Sequence, residues 1–161
     1  MSTRRVVVTG MGIISPVGND IARAWMNIRE GLSGVGLVTE NDLTGFATRI
    51  AGEVRDFDVE EYMSMRDARR MDRFMHYGIA AAIDAVKDAG LEVTEENSHR
   101  IGVSMGAGIG GLATIEENHN KLLAGGARKV SPFFIPGSII NMTSGNISIM
   151  GGITGPNLSI V

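Results

Sequence analysis

Alternating strand-like and helix-like stretches predict an α/β fold with a mainly parallel sheet. Three observations carry that expectation. Short apolar runs, Val6-Val7-Val8, Ile101 to Met105 and Asn157 to Val161, are separated by helical patterns. At 161 residues the chain has room for one domain, and 43% hydrophobic against 20% charged residues is the composition of a folded one. Glycine supplies 22 positions, about twice ordinary usage, so many stretches of backbone turn sharply or pack closely.

The elements follow in order. Val6-Val7-Val8 before Thr9-Gly10 reads as a buried strand ending in a turn. Asn19 is the expected cap of a helix whose Ile21, Ala24, Trp25 and Ile28 share one face, and Gly31 closes it. Ala47 to Val54 is a second expected strand, and the charged run Asp56 to Arg73 reads as one or two short surface helices. Met71, Phe74, Gly78, Ala81, Ala82, Ala85 and Ala89 mark one face of a longer helix ended by Gly90. Its small residues suit close packing against a sheet. Ile101 to Met105 is a strand, Gly106 to Gly111 a glycine loop, and Leu112 to Ala124 a helix with Leu112, Ile115, His119 and Leu122 on one side. Ser131 to Gly137 reads as a proline-bounded aromatic loop, and Ile140 to Met150 as a buried helix. Gly155-Pro156 turns the chain into the last strand.

Composition removes several classes of function. A net charge of −3 lacks the basic face that binding to nucleic acid phosphates needs. No cysteine is present, hence no thiol nucleophile and no thiolate metal site among these residues. The apolar stretch Phe133 to Val161 is broken by Pro136, Asn141 and Asn146, too often for a membrane span. Val6-Val7-Val8-Thr9-Gly10 is too short for a signal core, so the cytoplasm is the expected location. The last residues, Leu158-Ser159-Ile160-Val161, carry no polar cap, which leads us to expect a piece of something longer.

Gly106-Ala107-Gly108-Ile109-Gly110-Gly111 fits G-x-G-x-x-G between an expected strand and helix, the setting of a dinucleotide site. Such a site also wants an acid at the end of the next strand, to hold the ribose. The chain offers Arg128-Lys129-Val130-Ser131 there instead, so a tight structural turn is the stronger reading. His76, His99 and His119 have no partner at metal-ligand spacing, and Glu95-Glu96 and Glu116-Glu117 read as solvated charge. Arg66, Arg69, Arg70 and Arg73 recur at helical spacing, and Arg128-Lys129 adds a second basic cluster; both suit an acidic partner as well as a solvated face.

Taken together, Arg5 to Gly12, Ser15-Pro16-Val17-Gly18, the glycine loop with Leu112, Lys129 to Pro136 and Gly155-Pro156-Asn157 resemble the bacterial β-ketoacyl-acyl carrier protein synthases, most closely type II. The resemblance runs from Arg4 to Val161. It implies a thiolase-like αβαβα sandwich of two similar halves, of which residues 1–161 cover most of the first. The family's nucleophilic cysteine, paired histidines and lysine would all lie beyond Val161, leaving these residues without catalytic machinery of their own. The implied reaction is fatty acid elongation by decarboxylative condensation, with no cofactor and no metal. The resemblance further places Gly108, Ile109, Phe133, Phe134 and Ile135 at the acyl pocket. It places Arg66, Arg70, Arg128 and Lys129 against the acyl carrier protein. It also implies a homodimer, joined through the strand Asn157–Val161 and the Phe133-Phe134 loop. A non-catalytic chain-length-factor subunit of a polyketide synthase shares this half and is the first alternative; a nucleotide-binding α/β domain is the second.

Overall fold

A computed structural model describes residues 4–161. The elements in chain order are α1 (Ile21–Arg29), β1 (Val35–Leu37), β2 (Ile50–Gly52), α2 (Met65–Ala68), α3 (Arg73–Asp88), β3 (Val103–Gly106), α4 (Leu112–Gly125), α5 (Phe134–Ser138), α6 (Met142–Gly151) and β4 (Asn157–Ile160). Among the described residues the strands form two pairs. β3 and β4 run parallel, Val103 opposite Asn157 and Gly106 opposite Ile160, while β1 and β2 run antiparallel. A single mainly parallel sheet is thus replaced by one parallel pair and a separate small ribbon.

Val6-Val7-Val8 is not a buried strand. Its side chains are 89%, 67% and 82% exposed, and no ladder partner lies beside it among the described residues. A run of valines fits a pleated surface but makes no strand without a neighbour to bond. The segment after it has a firm position. Gly10 and Gly12 cross α3 so closely that a Cβ on Gly12 would collide with the Ala81 carbonyl oxygen, and one on Gly10 with that of Ala85. Ala81 and Ala85 of α3 and its C-cap Ala89 therefore receive this crossing backbone, while Gly78 lies against Thr143 of α6 and Met105 of β3.

The cap of α1 sits one residue later than expected. Asp20 is extended and its carboxylate accepts from the Arg23 N–H at 2.8 Å, while the Asn19 amide donates to the Arg55 carbonyl. The four arginines expected on one helix do not share one: Arg66 lies on α2, Arg69 and Arg70 follow in the turn, and Arg73 begins α3. α2 ends at Ala68, Asp72 is extended, and α3 starts at Arg73, which pairs with Glu40. The core gathers Met63, Ala68, Met75 and Ile79, with Phe74, Met142 and Ile147 packed against it. α6 touches α3 and both strands of the parallel pair. The Asn157 amide fastens β4 to α6, donating to the Ser144 carbonyl at 2.9 Å and the Ser148 hydroxyl at 2.6 Å. No helix of the described residues is long and apolar enough to cross a membrane.

Candidate functional site

The glycine loop leaves the end of β3 and enters α4, and an open cleft of about 450 Å³ lies over it. Gly108 and Ile109 line this cleft with Phe74, Tyr77, Met105 and Thr143. Beside Gly108 a Cβ would meet nothing within 4 Å, so its missing side chain keeps space open there. Ile109, also lining the cleft, is an apolar side chain 69% exposed in the same loop. Burial pushes the Tyr77 phenol above its ordinary value, and its ring meets Phe57 edge-on at 5.1 Å. Thr143 is buried, and its hydroxyl has no hydrogen-bond partner among the described residues. Neutral, mostly apolar walls of this kind suit an acyl chain better than a charged ligand.

The first turn of α4 opposes the dinucleotide reading directly. The N-cap, Gly111, supplies no side chain; instead the Asp72 carboxylate accepts from the Thr114 N–H at 2.8 Å. The Gly111 N–H is also taken, by the Ser138 carbonyl at 2.9 Å. A Cβ on Gly111 would come within 2.9 Å of Asp72 Oδ2, so glycine is what lets the carboxylate reach the helix end. An anion is already present where a pyrophosphate would sit, and a phosphate would meet like charge.

The aromatic segment is not a loop: it forms the short helix α5, whose Ser138 end abuts Gly110 and Gly111. Phe134 is half-buried, Phe133 and Ile135 are exposed, and none of the three lines the cleft over the glycine loop. Phe133 lies under Arg70 instead, the guanidinium carbon 4.7 Å from the ring centroid. Arg66 is exposed on α2, and Arg128 and Lys129 are exposed in the helical turn after α4. No hydrogen bond or ion pair among the described residues joins these two basic clusters.

The inward face of α4 is also the reverse of the expected one. Leu112, Ile115, His119 and Leu122 are exposed, whereas Asn118 is buried, donating to the Thr114 carbonyl and accepting from the Ser131 N–H, both at 2.8 Å. Asn118 thereby ties α4 to the chain leading into α5. Asp72, Asn118 and Tyr77 are the residues around the loop and cleft that reading the sequence missed. The spacing Gly111, Thr114, Asn118 was the available signal, a small and polar stripe at i, i+3 and i+7.

A parallel pair joined through a glycine loop and three helices, with an apolar cleft over that loop, is the front of a ketosynthase-type, thiolase-like fold. The chain belongs to the β-ketoacyl synthase family, its residues 3–161 matching the beta-ketoacyl synthase N-terminal domain. It is 58% identical over 160 residues to the 3-oxoacyl-[acyl-carrier-protein] synthase 2 of Vibrio harveyi, covering 99% of this chain and 39% of that protein. Against the Staphylococcus aureus protein of the same name it is 46% identical over 154 residues, 96% of this chain and 37% of the other. Among solved structures, the ishigamide ketosynthase/chain length factor superposes with a TM-score of 0.82 at 31% identity, over 99% of this chain and 40% of that one. A ketosynthase bound to the hexaketide, in complex with its type II PKS acyl-carrier protein, gives 0.78 at 28% identity, over 94% and 40%. The chain spans about two fifths of the length of the curated relatives it matches.

Proposed function

We propose that this chain is the first part of a fatty acid elongation enzyme, a 3-oxoacyl-acyl carrier protein synthase of type II. In this reading it supplies the floor of the acyl cleft and part of the carrier-docking surface. The nucleophilic cysteine and the second thiolase-like half belong to the rest of the complete protein. The observation that carries the reading is an apolar cleft over a glycine loop whose helix end is filled by Asp72, in a chain 58% identical to a synthase of that name.

The chemistry divides accordingly. A cysteine thiolate attacks the acyl thioester of a loaded carrier and expels the carrier thiol. Malonyl-carrier then loses carbon dioxide, and the electron pair left behind forms an enolate that attacks the acyl-enzyme carbonyl. The enzyme thiolate departs, giving a 3-oxoacyl-carrier two carbons longer. The part played by these residues is to bind and measure the acyl chain: Gly108 leaves room for it and Ile109 limits how far it extends. Arg66 and Arg70, extended by Arg128 and Lys129, attract the acidic carrier protein. A homodimer would use the apolar strand Asn157–Val161 and the segment at Phe134, whose side chain would reach toward the partner's cleft.

The test is condensation by a complete synthase carrying this segment, read by mass spectrometry of the carrier-bound product. We expect a 3-oxoacyl product two carbons longer than the primer. Charge reversal of Arg66 and Arg70 together should raise KM for carrier-bound substrate and flatten its salt dependence. No condensation from a correctly folded protein would favour the chain-length-factor alternative, and an unchanged KM would return both arginines to a solvated face.

A further inference from the structure

Arg70 and Phe133 lie far apart in sequence and meet at 4.7 Å, guanidinium over ring. Both are half-open to water: Phe133 is 41% exposed and the Arg70 side chain 39%. Asp67 flanks the same guanidinium, with Oδ1 4.0 Å from Nη1. The backbone holds the two partners in place. The Asp72 N–H donates to the Gly137 carbonyl at 3.1 Å, and the Arg70 carbonyl lies so near Gly137 that a Cβ there would sit 2.9 Å from it. The joint between α2 and α3 is therefore fastened to α5, immediately after Phe133.

A guanidinium held over an aromatic ring loses rotational freedom but keeps its N–H donors in its own plane. Its edge stays free to bond a carboxylate while its face is occupied. Arg66, exposed on α2 just before Arg70, has no ring over it among the described residues and provides an internal comparison.

We propose that Phe133 is a positioning residue for Arg70, holding the guanidinium edge-outward for a carboxylate of the acyl carrier protein. The ring then belongs to the docking surface and not to the acyl cleft. This inference rests on the carrier-docking reading of Arg70. A cation–π contact at such exposure corresponds to about a two- to five-fold change in affinity.

The experiment is a titration of acyl carrier protein against the complete synthase and its Arg70→Ala, Phe133→Leu and doubly substituted forms. Kd should rise about two- to five-fold in Phe133→Leu, and Phe133→Tyr should restore it. In the Arg70→Ala background Phe133→Leu should add nothing. In steady state the loss should fall on KM for the carrier substrate and not on kcat. The Arg70 Nε–H resonance of the free protein, shifted by the ring, should move in Phe133→Leu while the rest of the dispersed amide spectrum stays in place, which shows a folded variant with the contact broken. Should Arg70→Ala weaken binding while Phe133→Leu does not, or should the two effects add, docking stands and the positioning role falls. A Phe133→Leu product profile shifted toward other chain lengths would return the ring to the cleft and overturn the proposal. If Arg70→Ala leaves Kd unchanged, the docking reading itself fails and this inference with it.

Discussion

Asp72 joins three elements at once. It is 9% exposed, initiates α3, bonds the Gly137 carbonyl through its backbone and caps α4 through its carboxylate at Thr114. Removing the carboxylate would orphan a helix-end N–H beneath the glycine loop. Asp72→Ala should cost about 1–2 kcal/mol, seen as a lower denaturant midpoint at unchanged m. Asp72→Asn should lose less, because its amide oxygen still accepts. Nothing local in the sequence marks Asp72, since its partner Thr114 lies 42 positions away. Ile109 and Gly108 were legible because the loop that carries them is a contiguous motif. Tyr62 offers a second test. Burial and its hydrogen bond to Asp84, 3.0 Å long, push its phenol up to about 12. A raised pKa means the contribution to stability is complete below the unfolded value near 10 and vanishes as pH climbs through about 12. Denaturant midpoints should fall across that window in the native chain and fall less in Tyr62→Phe, where the raised Tyr77 phenol still titrates. An equal fall in both would show that other groups govern it.

Elements with strong periodicity are where sequence and structure agree best. α1, α3, α4 and α6 all form within a few residues of the stretches expected for them, because helical bonding is local and its stop signals, such as Gly31 and Gly90, are sequence-adjacent. Strands fare worse because a ladder is a property of two segments. The β3–β4 pair forms; Val6-Val7-Val8 does not join it, and β1 was not foreseen in the glycine-interrupted Val35-Gly36-Leu37. Faces were harder still. On α4 the apolar positions point to solvent and the polar stripe of Thr114 and Asn118 points inward, since satisfying the backbone of the adjoining turn outweighs burying leucine there. The crossing of Gly10-Met11-Gly12 over α3 makes a sharp prediction. Gly12→Ala forces the segment off the helix and should cost about 1–3 kcal/mol, whereas Gly31→Ala, with open space around it, bears only the penalty of its positive φ. Comparing the two variants by chemical denaturation separates crowding from backbone strain.

Across the molecule, apolar side chains are exposed along β4 and its end: Leu158, Ile160 and Val161. Together with the valines near the start they are the surfaces a larger assembly would cover, which agrees with the proposed dimer and second half. The basic positions proposed for carrier docking are local features on a chain of net charge −3, so any steering of an acidic partner is confined to that patch and should fade with salt. What unites these features in the proposed reading is one glycine loop serving as the floor of an acyl cleft, with the helix end that a phosphate would need taken by Asp72. The most direct test is the product chain-length profile of a complete synthase carrying Ile109→Phe, measured over a ladder of acyl-carrier primers. A bulkier side chain over Gly108 should suppress elongation of long primers well before short ones. Equal loss at every length, or an unaltered profile, would contradict the assignment of this loop to the acyl chain.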